Sequence, residues 1–78
     1  MNMFIVGIYY SFDFEMPMYI FETEEEAKEF IKQDFEQEMK IQQESMFEVR
    51  GECNDGFAKL YYDDGTFIEW NIGAIKNR

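Results

Sequence analysis

Two Asp-Gly dipeptides nine residues apart, Asp55-Gly56 and Asp64-Gly65, constrain this chain more than any other feature. Tight hairpin turns favour Asp-Gly because a two-residue turn asks for positive φ, which glycine adopts without steric cost. The flanking segments alternate. Met46 to Cys53 sets Phe47, Val49, Gly51 and Cys53 against Met46, Glu48, Arg50 and Glu52. Phe57 to Tyr62 lies between the turns, and Thr66 to Ile72 puts Ile68, Trp70 and Ile72 on one face with Phe67 and Glu69 on the other. The C-terminal third therefore reads as an antiparallel meander. Residues after Ala74 read as a frayed end.

The N-terminal half reads differently. Met3-Phe4-Ile5-Val6-Gly7-Ile8-Tyr9-Tyr10 is apolar on both alternating faces, which suits an interior strand. Gly7 within it suggests a bulge or a close backbone approach. Ser11 to Met16 either continues a hairpin or forms a loop; Pro17 interrupts, and Met18 to Glu22 reads as a short strand. Thr23 followed by Glu26 is a capping box, and Glu24, Glu25 and Glu26 suit the positive end of a helix dipole. Ala27, Phe30, Ile31 and Phe35 recur at helical spacing, and neither Gly nor Pro appears again before Gly51. The spacing predicts a helix from Glu24 to about Met39 or a little beyond, with Lys40 in its last turn. Phe30 and Ile31 are expected to pack against Val6, Leu60, Ile68 or Trp70. The order β-β-α-β-β-β predicts an α+β fold, an antiparallel sheet of four to five strands with one helix packed on one face. The other face, bearing Tyr, Phe and charged residues, need not be fully buried.

At 78 residues the chain has room for a single domain, 1–78, near the lower limit for one unaided core. Its 19% aromatic content makes such a core feasible and separates it from disordered acidic tails. The absence of histidine excludes His-based catalysis and metal sites. Cys53, the only cysteine, excludes an internal disulfide and Cys-rich zinc sites, and a reducing cytoplasm fits best. On the predicted core face with Phe47 and Val49, Cys53 reads as a buried structural thiol. The first apolar run, Met3 to Tyr10, is too short for a membrane span and has no basic flank for a signal peptide. No Ser/His or Cys/His pair, phosphate loop or dinucleotide turn is present, so neither an enzyme nor a bound cofactor is expected. Asp63-Asp64 reads as a turn and Glu24-Glu25-Glu26 as a helix start, and no metal site is expected.

What remains is charge. Seventeen acids and seven bases give −10, which disfavours direct binding to nucleic acid or to an anionic membrane. Residues 13–38 hold ten acids and two lysines, a net of −8; residues 39–78 hold seven acids and five bases, a net of −2. Glu25, Glu29 and Glu36 fall opposite the apolar stripe, beside Lys32. This ridge is either an ordinary solvated face or a surface for a basic partner, and mutual repulsion among like charges favours the second. Asp34 and Glu38 share a face close to the stripe. Either the helix overhangs the sheet after about Gln33 or the two are paired with basic groups, since bare burial is too costly. Asp13 and Glu15 alternate with Phe12 and Phe14, as in an edge strand or a contact loop where aromatics anchor and acids steer.

The segment Met18-Tyr19-Ile20-Phe21-Glu22-Thr23-Glu24-Glu25-Glu26-Ala27, running into Phe30-Ile31, resembles small acidic proteins of phages and mobile elements of low-GC Gram-positive bacteria. The ending Asp64-Gly65-Thr66-Phe67-Ile68-Glu69-Trp70-Asn71-Ile72 is similar to them too. Many such proteins are host-defence inhibitors, including anti-CRISPR and DNA-mimic types. The resemblance implies an inhibitor and carries over no functional residues. The resulting expectation is a protein whose candidate contacts, Asp13, Glu15, Glu25, Glu29, Asp34, Glu36 and Glu38, occupy the basic surface of a nucleic-acid-binding protein or nuclease. The alternative is a structural or assembly module that forms a homodimer through the aromatic sheet face around Tyr9 and Phe67.

Overall fold

The computed structural model describes residues 2–46 and 48–76. The predicted order holds: β1 (Asn2–Tyr10), β2 (Met18–Phe21), α1 (Glu24–Glu44), β3 (Val49–Asn54), β4 (Phe57–Tyr62) and β5 (Phe67–Lys76). The five strands form one antiparallel sheet in the order β2-β1-β5-β4-β3, an α+β arrangement with the helix packed on the strands. The long strands β1 and β5 pair in continuous register from Asn2↔Lys76 to Tyr10↔Ile68. Ile75 and Lys76 are thus in the sheet rather than frayed, because β1 begins early enough to pair with them. The same unbroken register leaves no bulge at Gly7 against β5, and no atom approaches the place its Cβ would take. The close backbone approach lies instead at Gly51, where an added Cβ would come within 2.5 Å of the Phe35 ring. Only glycine lets edge strand β3 pass beneath that ring.

The alternation read from the sequence sets the core. Val6, Ile8, Ala58, Leu60, Ile68 and Trp70 face the helix and are buried, and Ala27, Ile31 and Phe35 close over them. Phe35 meets Trp70 edge-on, with centroids 5.6 Å apart. Phe30 sits at the margin, half-buried, against Tyr19 at 4.8 Å and Phe21 at 5.3 Å. It anchors the β2 edge, whereas Ile31 packs into the core centre as expected.

The two turns differ in an informative way. Asp55-Gly56 joins Asn54 to Phe57 directly, but residues 63–66 form a longer loop closed by Tyr62 N–H to the Thr66 carbonyl at 2.9 Å. Within these two turns positive φ is confined to the glycines, 83° at Gly56 and 92° at Gly65. Asp64 instead accepts both the backbone N–H (2.9 Å) and the hydroxyl (2.6 Å) of Thr66. These bonds hold its carboxyl below the ordinary range.

The helix starts as read. Thr23 caps it, accepting the Glu26 N–H at 3.2 Å and donating its hydroxyl to the Glu26 carboxylate at 2.9 Å. It ends later, at Glu44, so Lys40 lies before the last turn, which contains no base. Met46, at φ 64°, supplies the left-handed residue that usually follows a helix end, and its N–H reaches the Gln43 carbonyl at 3.1 Å. The next strand consequently begins at Val49 rather than Met46. Phe47, assigned to its core face, lies outside the described residues.

Candidate functional site

The seven candidate carboxylates do not form one surface. They divide along the two flanks of α1 and the loop between β1 and β2.

Glu25, Glu29 and Glu36 are exposed, as the helical wheel requires. With Lys28, Lys32 and Cys53 they border an open groove of about 540 Å³ between α1 and the β3–β4 turn. Lys28 spans it, reaching Glu24 on its own helix at 2.9 Å and Asp55 across the turn at 2.8 Å. The hydrogen bond to Asp55, then that to Glu24, raises the lysine well above its ordinary range. Glu29 accepts the Gln33 amide at 2.9 Å. This flank mixes signs and is less negative than the acids alone suggest.

Cys53 corrects another expectation. It lies on the helix-facing side of β3, as the alternation required, yet it is exposed. The sheet edge extends beyond the cover of the helix there, so the correct face does not confer burial. Partial desolvation, with the Glu36 charge nearby, raises its thiol pKa and disfavours the reactive thiolate.

The other flank carries no lysine contact among the described residues. Asp34 and Glu38 are half-buried at the seam between helix and sheet. The Trp70 indole N–H donates to Asp34 Oδ2 at 2.8 Å, and the Gln42 amide donates to Glu38 Oε1 at 3.0 Å. Neither forms an ion pair among the described residues. The helix does not overhang after Gln33 either, since Phe35 is still buried. A neutral donor under the helix satisfies Asp34 where a basic partner or an overhang was expected. Tyr10 and Tyr62 lie near these acids. Burial first, then the charge of Glu38, raises both phenols above their ordinary 10.0, and Asp34 and Asp13 add to the effect at Tyr10.

Asp13 and Glu15 lie in a loop rather than an edge strand. Asp13 N–H donates to the Tyr10 carbonyl and Asp13 Oδ1 accepts the Glu15 N–H, both at 3.3 Å. Phe12 lies edge-on to Tyr10 at 5.8 Å and to Tyr62 at 5.9 Å yet stays 55% exposed, while Phe14 is fully exposed. The fold therefore brings Asp13, Asp34 and Glu38 around one aromatic floor of Tyr10, Phe12 and Tyr62, apart from the Glu25–Glu29–Glu36 ridge. That floor was missed in the sequence, although the alternation of the first strand already places Tyr10 on the same face as Val6 and Ile8.

Among the described residues no three Cys, Asp or Glu side chains are grouped so as to hold a metal ion, and no helix is long and apolar enough to cross a membrane. Comparison with protein-family models, curated proteins and solved structures found no match.

Proposed function

We propose that this chain is an acidic binding protein whose Asp13, Glu15, Glu25, Glu29, Asp34, Glu36 and Glu38 engage the basic, nucleic-acid-holding surface of a partner protein. A host-defence nuclease of a bacterial host is the partner class that the resemblance to phage and mobile-element proteins suggests. The observation that carries this reading is the lack of internal neutralisation. The only ion pairs among the described residues are the two made by Lys28, and none of the seven carboxylates takes part in either. Five of the seven, all but Asp34 and Glu38, are exposed, so their charge is directed to solvent or to a partner.

Rigidity adds support. A helix rises about 1.5 Å per residue, so Glu25 and Glu29 stand roughly 6 Å apart along its axis. One strand of duplex DNA carries a charge per about 3.4 Å. A straight row of carboxylates is thus a coarse stand-in for one edge of a nucleic acid. Long-range attraction speeds association at low salt and fades as the screening length shortens to about 10 Å at 0.1 M.

The deciding experiment is competition. A nuclease captured by this protein is expected to lose its DNA or RNA; a partner that still holds its nucleic acid when saturated with this protein overturns the reading. Changing Glu25, Glu29 and Glu36 together to Lys leaves the fold intact, because all three are exposed. Binding is expected to fall by several kcal/mol if those carboxylates are desolvated at the contact, and by little if they lie on its rim. Undiminished binding by that variant moves the contact to Asp34, Glu38 and the Asp13–Glu15 loop.

A further inference from the structure

We infer that the open face of the sheet is a self-association surface, covered by the same face of a second copy so that the two helices lie outward. This does not rest on the proposed function.

The register fixes which residues share that face. On β1 they are Met3, Ile5, Gly7 and Tyr9, and on β2 they are Met18 and Ile20, which are each 63% exposed. Phe67, Glu69 and Asn71 continue the face on β5, and Phe57, Lys59 and Tyr61 on β4. The half formed by β1 and β2 is thus uncharged and largely apolar. No element of the described chain covers it, since α1 packs on the opposite side.

Charge selects the occupant. On β3, β4 and β5 the open face carries two bases, Arg50 and Lys59, and two acids, Glu52 and Glu69, which cancel. Lys59 stands directly opposite both acids in the register, and its ammonium lies 4.3 Å from the Phe67 ring centre. The helix, by contrast, carries eight acids and three lysines. Two copies of a chain with net charge −10 repel, and a charge-balanced face opposes their contact less than the acidic helix does. Packed sheets lie about 10 Å apart and each helix adds a layer about 10 Å thick, so the outward helices stand roughly 30 Å from one another. That is nearly four screening lengths at physiological salt, where the length is about 8 Å. Repulsion between the acidic surfaces is then small.

The area suffices. The five strands hold 35 residues, each occupying about 4.8 by 3.3 Å of sheet, which offers roughly 550 Å² per copy. Two such faces bury roughly 1,100 Å² in total, just above the ~1,000 Å² that a specific interface must clear. A two-fold axis crossing the strands sets apolar half on apolar half and the charge-balanced half on its own copy.

Light scattering coupled to size exclusion at high micromolar concentration is expected to give twice the 9.5 kDa chain mass. A monomer under those conditions overturns the inference and leaves the face to a different protein. Two substitutions locate the contact. Ile20→Lys, on the exposed edge strand, is expected to give monomer with unchanged circular dichroism. Asn71→Arg removes no apolar contact and adds a charge at the centre of the face, and it too is expected to give monomer. A dimer broken by Ile20→Lys but kept by Asn71→Arg pairs through the β2 edge instead, and overturns the face-to-face arrangement. The Glu25, Glu29 and Glu36 to Lys variant is expected to remain dimeric; loss of the dimer in that folded variant puts the helix in the interface and overturns the inference as well.

Discussion

From Glu24 to Phe35 the helix turns Ala27, Ile31 and Phe35 toward the sheet, whereas from Glu36 to Glu44 the same stripe continues as Glu38 and Gln42. The first stretch contains every fully buried helical residue, and Met39 alone in the second packs against the core. Continuity of the helix is therefore not evidence of continuous packing. Once nucleated by the cap and by tertiary contacts, each further residue adds one backbone bond. The Gln-, Glu-, Lys- and Met-rich second stretch has the propensity to propagate it. The fold uses its scarce apolar residues on one half and leaves the other for display.

Truncating one isoleucine in each stretch tests that division with the largest expected effect. Ile31 is 1% exposed, so Ile31→Ala removes a packed side chain from the core centre and is expected to cost about 2–5 kcal/mol. Ile41 is 45% exposed, and Ile41→Ala is expected to stay within about 0.5 kcal/mol of the parent. Urea denaturation of both variants decides. Equal losses would mean that the second stretch packs as firmly as the first, and the comparison fails.

Asp34 and Glu38 give the next contrast, since each accepts one neutral donor but from a different place. The donor to Asp34 is Trp70 on the central strand, 36 residues away, whereas the donor to Glu38 is Gln42 one turn along the same helix. Asp34→Ala strands the indole N–H at the seam and is expected to cost about 1–3 kcal/mol. Glu38→Ala removes only a local pair and is expected to cost about 0.2–0.5 kcal/mol. A double-mutant cycle with Trp70→Phe separates the hydrogen bond from the packing of the ring. Coupling near zero between Trp70 and Asp34 would assign the cost to shape alone.

The parts of the fold legible in the sequence were those where local chemistry and tertiary demand agree. The Thr23–Glu26 cap, the Phe57–Tyr62 strand and the shared face of Ile68, Trp70 and Ile72 each followed from spacing alone. The helix end did not, because Met46 adopts a left-handed conformation that its side chain does not advertise. Alternation places Cys53 on the correct face but does not show its exposure, since alternation gives direction and not the extent of the covering helix. The outward ridge of Glu25, Glu29 and Glu36 could be read from periodicity. The partner of Asp34 could not, for a tryptophan 36 residues away becomes its neighbour only when the sheet assembles. Each side of the candidate site was thus visible as charge, while the aromatic floor beneath one of them required the fold.

Alkaline titration gives the smallest and most local contrast between the two flanks. Tyr10 and Tyr62 on the Asp34–Glu38 side are held above 10.0 by burial and by the neighbouring carboxylates. A phenol whose folded value is raised binds its proton more tightly in the native state than in the unfolded chain. Its contribution is fully present below the unfolded value and is lost as pH rises through the folded one. Lys28 on the opposite flank follows the same sign, because its bonds to Asp55 and Glu24 raise it above 10.5. Stability is therefore expected to be level to about pH 9 and to decline above about pH 10. Tyr10→Phe with Tyr62→Phe removes the phenols while keeping the rings, and Lys28→Met removes the ammonium, so the two flanks can be silenced in turn. The decline is expected to flatten partly in each variant and most in their combination. A slope unchanged by the paired Phe substitutions would show that neither burial nor the neighbouring carboxylates raise those phenols in the folded protein, and would remove the electrostatic distinction between the two flanks of α1.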